Sequence, residues 1–447
     1  MDQDLFERAS IPKAYFTFSI PLVLGFVVTM LYNIADTYFI ARTQDVNLIA
    51  GVSLCAPVFT LLMAFGNIYA QGGCTLVSRL LGQKREEQVR RVSSFSAWIA
   101  ILTGALVGAV MLLFRTPLLH LLGSNENSFA HASDYYTWLA LGGPLVVFSF
   151  VPANFLRSVG MSRESMTGSV AGTVVNIVLD PILISGLGWG ASGAAIATVL
   201  GYVFTVAYYL AVWLRRCPMF SLRPAEVGIS GQFAAQIFGI GIPAAITNLT
   251  TSFSMVLTNQ QLLPFGNDKI AAMGVVLKVI QVANLFVVGF SFGGQPIIGY
   301  LYGAGNGKRL SELVRFVFRF LCALGVGLSA VFVLSAPGLI RLFLEDPALV
   351  DVSVVMLRIQ AISMVLVAVV MFMTILAQST GQVLISLVLS VSRQGVIFLM
   401  VLLAASRLAG YYGIISAQTI SDLLTALMAV VLYRLSLKET LSKPGAA

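Results

Sequence analysis

Charge is what this sequence has least of. Asp, Glu, Lys and Arg make up only 10% of it, whereas a soluble globular chain carries about 25%. So few charges cannot clothe a water-facing surface, and an ordinary soluble domain is excluded. Histidine is nearly absent: His120 and His131 are the only two, and both fall near the loop between the third and fourth apolar runs. Two isolated imidazoles without a nearby nucleophile give catalysis no footing. The four cysteines, Cys55, Cys74, Cys217 and Cys322, have neither CxxC spacing nor a metal-ligand pattern, and they read as small apolar packing residues. With no Ser/His, Cys/His or HExxH arrangement, an enzyme is not expected and no cofactor is implied.

What the chain does have is apolar length. Hydrophobic residues make up 58% of its 447 positions, in long and nearly continuous runs. A bilayer core is crossed by helices of roughly 20 such residues, because an unpaired backbone amide is too costly there. A β-barrel would need short alternating segments instead. Forty glycines and fifteen prolines suit closely packed, kinkable membrane helices. The first apolar run is too long for a cleaved signal peptide, so it is expected to remain as a membrane helix.

The expected fold is an all-α membrane protein. Its twelve transmembrane helices lie near 14–40, 48–78, 92–114, 133–157, 165–187, 191–214, 233–263, 270–303, 314–340, 350–379, 383–406 and 411–435. The loops are short, so no soluble domain is inserted. The stretch 215–232, which contains Arg215, Arg216, Arg223 and Pro224, reads as a central linker. It separates an N-lobe, 1–214, from a C-lobe, 233–447.

Basic residues concentrate in every second loop: Arg79, Lys84, Arg85, Arg90 and Arg91; Arg215, Arg216 and Arg223; Lys308, Arg309, Arg315 and Arg319; and, at the end, Arg434, Lys438 and Lys443. The intervening loops hold isolated ones such as Arg42, Arg115 and Arg341. The positive-inside rule then makes the linker and both termini cytoplasmic, in a multi-pass protein of the plasma (bacterial inner) membrane. The net charge of +8 is thereby explained by topology and by contact with lipid headgroups, and no nucleic-acid partner is expected. A monomer is expected.

The two halves repeat each other. Ile20-Pro21 recurs as Ile242-Pro243, Gly51-Val52 as Gly274-Val275, and Gly82 as Gly305. Leu-Arg-Ser-Val-Gly at 156–160 is answered by Ala-Gln-Ser-Thr-Gly at 377–381, and Ala197-Thr198 by Gln418-Thr419. The offset stays between 221 and 224. Six helices per half give both halves the same orientation, related by a pseudo-twofold axis along the membrane normal.

Ionisable residues inside apolar runs are the sharpest functional signal, since each costs roughly 2.5–3.5 kcal/mol at a helix centre on insertion scales. In the first half, Asn33 and Asp36 share a face of helix 1, and Pro21 permits that helix to bend as a hinge. Asn176 and Asp180, in Asn-Ile-Val-Leu-Asp-Pro, share a face of helix 5, and Thr198 on helix 6 adds a hydroxyl. Two carboxylates, an amide oxygen and a hydroxyl suit a small cation, and a proton can serve instead. The competing reading is a buried polar network that only locks helices together. In the second half, Lys278, Arg393 and Asp422 are the charges at membrane depth. Either Asp422 pairs with one of the bases as a structural ion pair, or a base contacts an anionic part of a substrate.

Several literal motif matches mislead. Gly188-x-Gly190-x-x-Gly193 joins two membrane helices and not a strand and a helix, so it does not read as a dinucleotide site. Asn248-Leu-Thr250 is a sequon only on paper, because it lies in helix 7. Gly104-x-x-x-Gly108 and Gly289-x-x-x-Gly293 mark close helix contacts and not dimerisation.

The chain resembles the multidrug and toxic compound extrusion (MATE) family, in its DinF-like branch. The resemblance rests on the Pro21 to Asp36 spacing, on Asn176-x-x-x-Asp180-Pro181, on Gly193-Ala-Ala-Ile-Ala-Thr198, and above all on Gln295-Pro-Ile-Ile-Gly-Tyr-Leu-Tyr-Gly-Ala304. It implies an N-lobe cation site at Asp36, Asn176, Asp180 and Thr198. The acids that the NorM-like branch carries on helices 7 and 10 are missing here. The resemblance implies a secondary antiporter that exports small organic compounds, cationic or amphipathic, in exchange for Na⁺ or H⁺. The alternative is a flippase for lipid-linked precursors with the same two-lobe architecture, which Lys278 and Arg393 would suit.

Overall fold

Bilayer-length apolar runs without turn chemistry satisfy their backbone amides only as helices. The computed structural model describes residues 3–437 and Leu441, so Lys438 and Lys443 lie outside the described residues. Helices and no strands occur among the described residues. The spans are α1 (Ile11–Arg42), α2 (Val46–Gly82), α3 (Glu86–Leu113), α4 (Glu126–Ser158), α5 (Ser162–Gly186), α6 (Gly190–Arg216), α7 (Gly231–Phe265), α8 (Asn267–Gly303), α9 (Gly307–Arg341) and α10 (Pro347–Ser379). The last apolar stretch, Val383–Leu437, is one run of 55 residues. Gly410 within it has φ 54° and ψ −126°, a conformation that side chains resist. The chain reverses there, and a Cβ on Gly413 would lie 1.9 Å from the Ala405 carbonyl oxygen. The stretch is therefore α11 (383–409) and α12 (411–437), and the described residues form twelve spans.

Compactness divides the chain into two units, and it does so inside helices. Leu24–Ala245 belongs to the first unit, while Phe6–Val23 and the chain from Ile246 onward belong to the second. The division falls in α1 just beyond Pro21 and in α7 just beyond Pro243.

In the first unit α4 is the central helix, with 72% of its apolar window buried, packed against α2, α3 and α6. In the second, α10 plays that part, 67% buried and packed against α8 and α9. The two begin at Glu126 and Pro347, which matches the spacing of the sequence repeat. Missing side chains bring α3 close to α4: a Cβ on Gly104 would meet Pro144 Cα at 2.6 Å, and one on Gly108 would meet the Ala140 oxygen at 2.4 Å. This glycine pair therefore serves a contact within the chain.

Several helices are not regular. α2 is interrupted at Cys55, because Pro57 has no amide hydrogen to continue the ladder. α10 is interrupted at Ser363. α5 finishes in a π-helical segment, Pro181–Gly186, and α11 contains another, Ser392–Val396. Gly188 (φ 67°) and Gly190 (φ 51°) turn the end of α5 into α6, so the G-x-G-x-x-G run is a joint between helices. Asn248 lies within α7.

The linker is laid along α3. Trp98 Nε1 donates to Leu222 O at 2.9 Å, Ser94 Oγ donates to Arg223 O at 2.7 Å, and Ser221 N donates to Ser93 Oγ at 2.9 Å. The Ser221 hydroxyl, and after it Arg90, hold the half-buried Glu226 carboxyl below the usual carboxylate range.

Candidate cation site

The first unit gathers polar side chains where α1, α4, α5 and α6 run together. Small residues make this possible. Gly172 on α5 and Gly201 on α6 meet so closely that a Cβ on Gly172 would lie 1.8 Å from Thr205 Oγ1 and 2.5 Å from Gly201 O. Gly193 lies against the backbone of Leu183 in the π segment, 2.7 Å from where its Cβ would be. The α5–α6 seam is therefore narrow, and the polar side chains along it are enclosed.

Asn176 and Asp180 are one turn apart on α5, 3% and 0% exposed. Asn176 Nδ2 donates to Thr198 Oγ1 across the seam at 3.5 Å, and the Thr198 hydroxyl donates to its own helix at Ala194 O, 3.0 Å away. The Thr198 oxygen thereby keeps one lone pair beyond the one that accepts from Asn176. Asn176 Oδ1 and both carboxylate oxygens of Asp180 are buried without a hydrogen-bond partner. Buried polar atoms are nearly always paired, so three orphaned oxygens side by side are unusual. Asp36 on α1 is half-buried and lies within electrostatic range of Asp180. Among the described residues neither acid forms an ion pair. Asn33, a turn before Asp36, is exposed, and its side chain takes no hydrogen bond in the cluster.

Three tyrosines complete the surroundings. Tyr32 and Tyr135 approach the Thr198 hydroxyl, both lie in electrostatic range of Asp36, and Tyr202 lies beside Tyr32. Tyr32 precedes Asp36 by four residues and Tyr202 follows Thr198 by four, so each shares a helix face with a residue already singled out. Tyr135 stands on α4 with no such neighbour in sequence. Orphaned oxygens and phenolic hydroxyls, with no basic group among them, make an acceptor-rich cluster suited to a desolvated cation or a proton.

In the second unit, Arg393 Nε donates to Asp422 Oδ1 at 3.0 Å, and Gln418 Nε2 donates to the same oxygen at 3.1 Å. Lys278, on α8, is exposed and takes no part in this pair. Pro21 lies inside α1, whose helix continues past it. His131 approaches Asp45 at 3.6 Å and His120 stacks on Phe129 at 5.3 Å, and neither pairs with Asp36 or Asp180. The cysteines are free, and all but the half-buried Cys322 are buried.

Twelve membrane helices in two repeating halves, with an acid-bearing polar cluster in one of them, define a polytopic transporter. A family model described as MatE matches residues 21–182 and 243–403, beginning at Pro21 and again at Pro243. The chain therefore belongs to the MatE family, the multidrug and toxic compound extrusion transporters, and it is a transporter and not an enzyme. It is 31% identical over 430 residues to the multidrug export protein MepA of Staphylococcus aureus, covering 96% of this chain and 95% of that one. It is 29% identical over 439 residues to MepA of Staphylococcus saprophyticus, covering 98% and 97%. Among solved structures it resembles an outward-facing multidrug resistance MATE family transporter, at TM-score 0.90, 24% identity and 98% coverage of each chain. A MOP superfamily transporter from Pyrococcus furiosus matches at TM-score 0.89, 24% identity and the same coverage.

Proposed function

We propose that the chain is a secondary antiporter that exports small organic compounds, cationic or amphipathic, in exchange for Na⁺ or H⁺ by alternating access. Asp36, Asn176, Asp180 and Thr198 form its cation site. The observation that carries this reading is the set of three buried oxygens without donors, one on Asn176 and two on Asp180. A polar network that existed only to lock helices would be expected to satisfy its members, since each buried orphan costs about 1–3 kcal/mol. A cation or a proton that comes and goes accounts for acceptors left open. The relatives from Staphylococcus are named for multidrug export, which favours export over lipid-precursor flipping.

The coupling follows from charge. With the site empty, one half of the protein holds two uncompensated acids at membrane depth. A bound ion neutralises part of that charge and favours whichever arrangement of α1 encloses it. The ion biases the equilibrium only by its difference in affinity between the two arrangements. Pro21, just before the point where α1 passes from one compact unit to the other, supplies the hinge. The membrane potential contributes about 2.3 kcal/mol per charge per 100 mV to the cycle.

The linker and both termini face the cytoplasm in this scheme, in a plasma membrane. The decisive experiment is export from reconstituted vesicles under separately imposed Na⁺ and pH gradients. Asp36→Asn is expected to insert normally and to lose export driven by either gradient. Full gradient-driven export by that variant refutes the site.

A further inference from the structure

The buried charges of the second unit occupy a place where the fold itself needs none. The repeat offset of 221 that relates 156–160 to 377–381 and Thr198 to Thr419 carries Gly172 onto Arg393 and Gly201 onto Asp422. In the first unit these positions are bare glycines pressed together at a helix crossing. In the second, the same crossing holds a guanidinium and a carboxylate at 3.0 Å. The crossing thus forms with no charge at all in one half. Buried ion pairs contribute little net stability compared with apolar contacts, so stability alone does not account for this one.

The backbone is also rebuilt around the arginine. Arg393 lies in the π-helical segment Ser392–Val396, which breaks the regular ladder and re-aims its side chain. Carbonyls beside the break are taken up by hydroxyls from two other helices: Ser421 donates to Arg393 O at 3.0 Å, and Ser254 donates to Gln394 O. Asp422, its side chain 1% exposed, accepts from Arg393 Nε and from Gln418, both through Oδ1. The guanidinium is therefore held by its Nε edge. Among the described residues neither Nη atom has a hydrogen-bond partner, and neither is sealed from solvent. The arginine side chain is 14% exposed. Leaving that end in hydrocarbon would cost roughly 2.5–3.5 kcal/mol on insertion scales, which favours an open end that looks onto water.

We propose that Arg393 is a substrate-recognition residue: anchored on Asp422, it presents its two Nη groups to a carboxylate on the transported compound. Two parallel N–H donors in a plane match the two oxygens of a carboxylate. Asp422 keeps the unoccupied site neutral overall, so compounds without an acid are not repelled from it. The substrate class this defines is zwitterionic amphiphiles, which carry a carboxylate as well as a cationic group. The inference rests on the export reading above and adds the anionic partner group to it. A lipid phosphate offers similar oxygens, and the test separates the two sources.

The full chain is reconstituted in vesicles of phosphatidylcholine alone, and in others containing phosphatidylglycerol. Binding and gradient-driven export are measured for a zwitterionic fluorescent compound and for its methyl ester. Wild type is expected to favour the acid over the ester in both lipids. In the double variant R393Q/D422N, which removes both charges together, the acid-to-ester ratio is expected to fall about tenfold, the loss of one charge-assisted contact. The exchanged pair R393D/D422R restores an ion pair but hangs the guanidinium from the other helix, and the ratio is expected to stay low. Should the double variant fail to fold, R393K retains the charge without the planar fork and is expected to lower the ratio severalfold.

A wild-type ratio in the double variant, or its recovery in the exchanged pair, means the ions only lock helices, and it overturns the proposal. An acid preference that disappears whenever phosphatidylglycerol is present assigns the guanidinium to lipid and overturns it equally. Absence of gradient-driven export in wild type would sink the antiport reading, while the binding ratio would still decide the role of Arg393.

Discussion

Asp180 follows Asn176 by one helical turn, and Asn176 Oδ1 and both Asp180 carboxylate oxygens are buried without a donor. Such an arrangement costs stability and is expected to be relieved when the charge is removed. Asp180→Asn should therefore leave the thermal stability of the detergent-solubilised protein within about 1 kcal/mol of wild type, or raise it. Gradient-driven export should fall to background in the same variant. Wild type should be stabilised by the coupling ion, by about 2.7 kcal/mol at a hundredfold excess over its Kd, and the variant should not. Thermal unfolding in a titration of NaCl at fixed ionic strength measures this for Na⁺, and a titration of pH measures it for protons. Undiminished stabilisation of the variant by the same ion would place the site elsewhere.

Gly172 and Gly201 set the width of the seam that holds these oxygens. Alanine at Gly172 would drive its methyl group into Thr205 Oγ1 at 1.8 Å and Gly201 O at 2.5 Å, and the second of these is backbone that cannot rotate away. Gly172→Ala is expected to destabilise the protein by about 1–3 kcal/mol and to widen the Asn176–Thr198 contact. Gly188 is the control. Its φ of 67° makes alanine strained, but nothing lies within 4 Å of the added carbon, so the cost should be about 1 kcal/mol with no loss of ion response. Thermal unfolding of the two variants, with and without the coupling ion, separates a steric effect on the seam from a general loss of stability.

Much of this architecture is legible in the residues because membrane helices announce themselves by length. The apolar runs give the spans, and the offset between Pro21 and Pro243 gives the duplication that the family model meets twice. The irregular backbone is harder to read. Nothing in Val-Ser-Arg-Gln-Gly-Val marks 392–396 as π-helical, because the deviation depends on hydroxyls that reach it from Ser254 and Ser421, far away in sequence. Ser363 interrupts α10 without glycine or proline, and there its own hydroxyl turns back onto Gln360 O at 2.8 Å. At the candidate site, Tyr32 and Tyr202 could have been found by stepping one turn from Asp36 and Thr198. Tyr135 could not, since only the packing of α4 brings it there.

The linker offers a test by pH. Glu226 is held below its ordinary value by the Ser221 hydroxyl and by Arg90, so its contribution is present above the unfolded value of about 4.3 and is lost as pH falls through the lower folded value. Trp98 Nε1 and Ser94 Oγ hold the neighbouring carbonyls independently of pH. Trp98→Phe is expected to raise the rate of proteolytic cleavage within 217–230 severalfold at pH 7. Glu226→Gln should have a smaller effect at pH 7, and that effect should fade as pH drops through the lowered folded value. Cleavage rates measured with a protease active at each pH provide the check, and a pH-independent effect of Glu226→Gln would remove the carboxylate from the account.

Orientation in the membrane is open to a direct chemical test. The endogenous thiols give a low background, since Cys55, Cys74 and Cys217 are buried and Cys322 is half-buried on a membrane helix. Ala225 in the linker and Asn127 at the start of α4 are both exposed, and they lie at opposite ends of the spans between them. By the positive-inside rule, the concentration of Arg and Lys around the linker is expected to put Ala225 in the cytoplasm. A membrane-impermeant maleimide applied to intact cells is expected to label Asn127→Cys and to spare Ala225→Cys, and permeabilised cells should show both labelled. Protection of Asn127→Cys with labelling of Ala225→Cys would invert the topology. The cation pathway through Asp36 and Asp180 would then run in the opposite direction, and the export reading would become one of uptake.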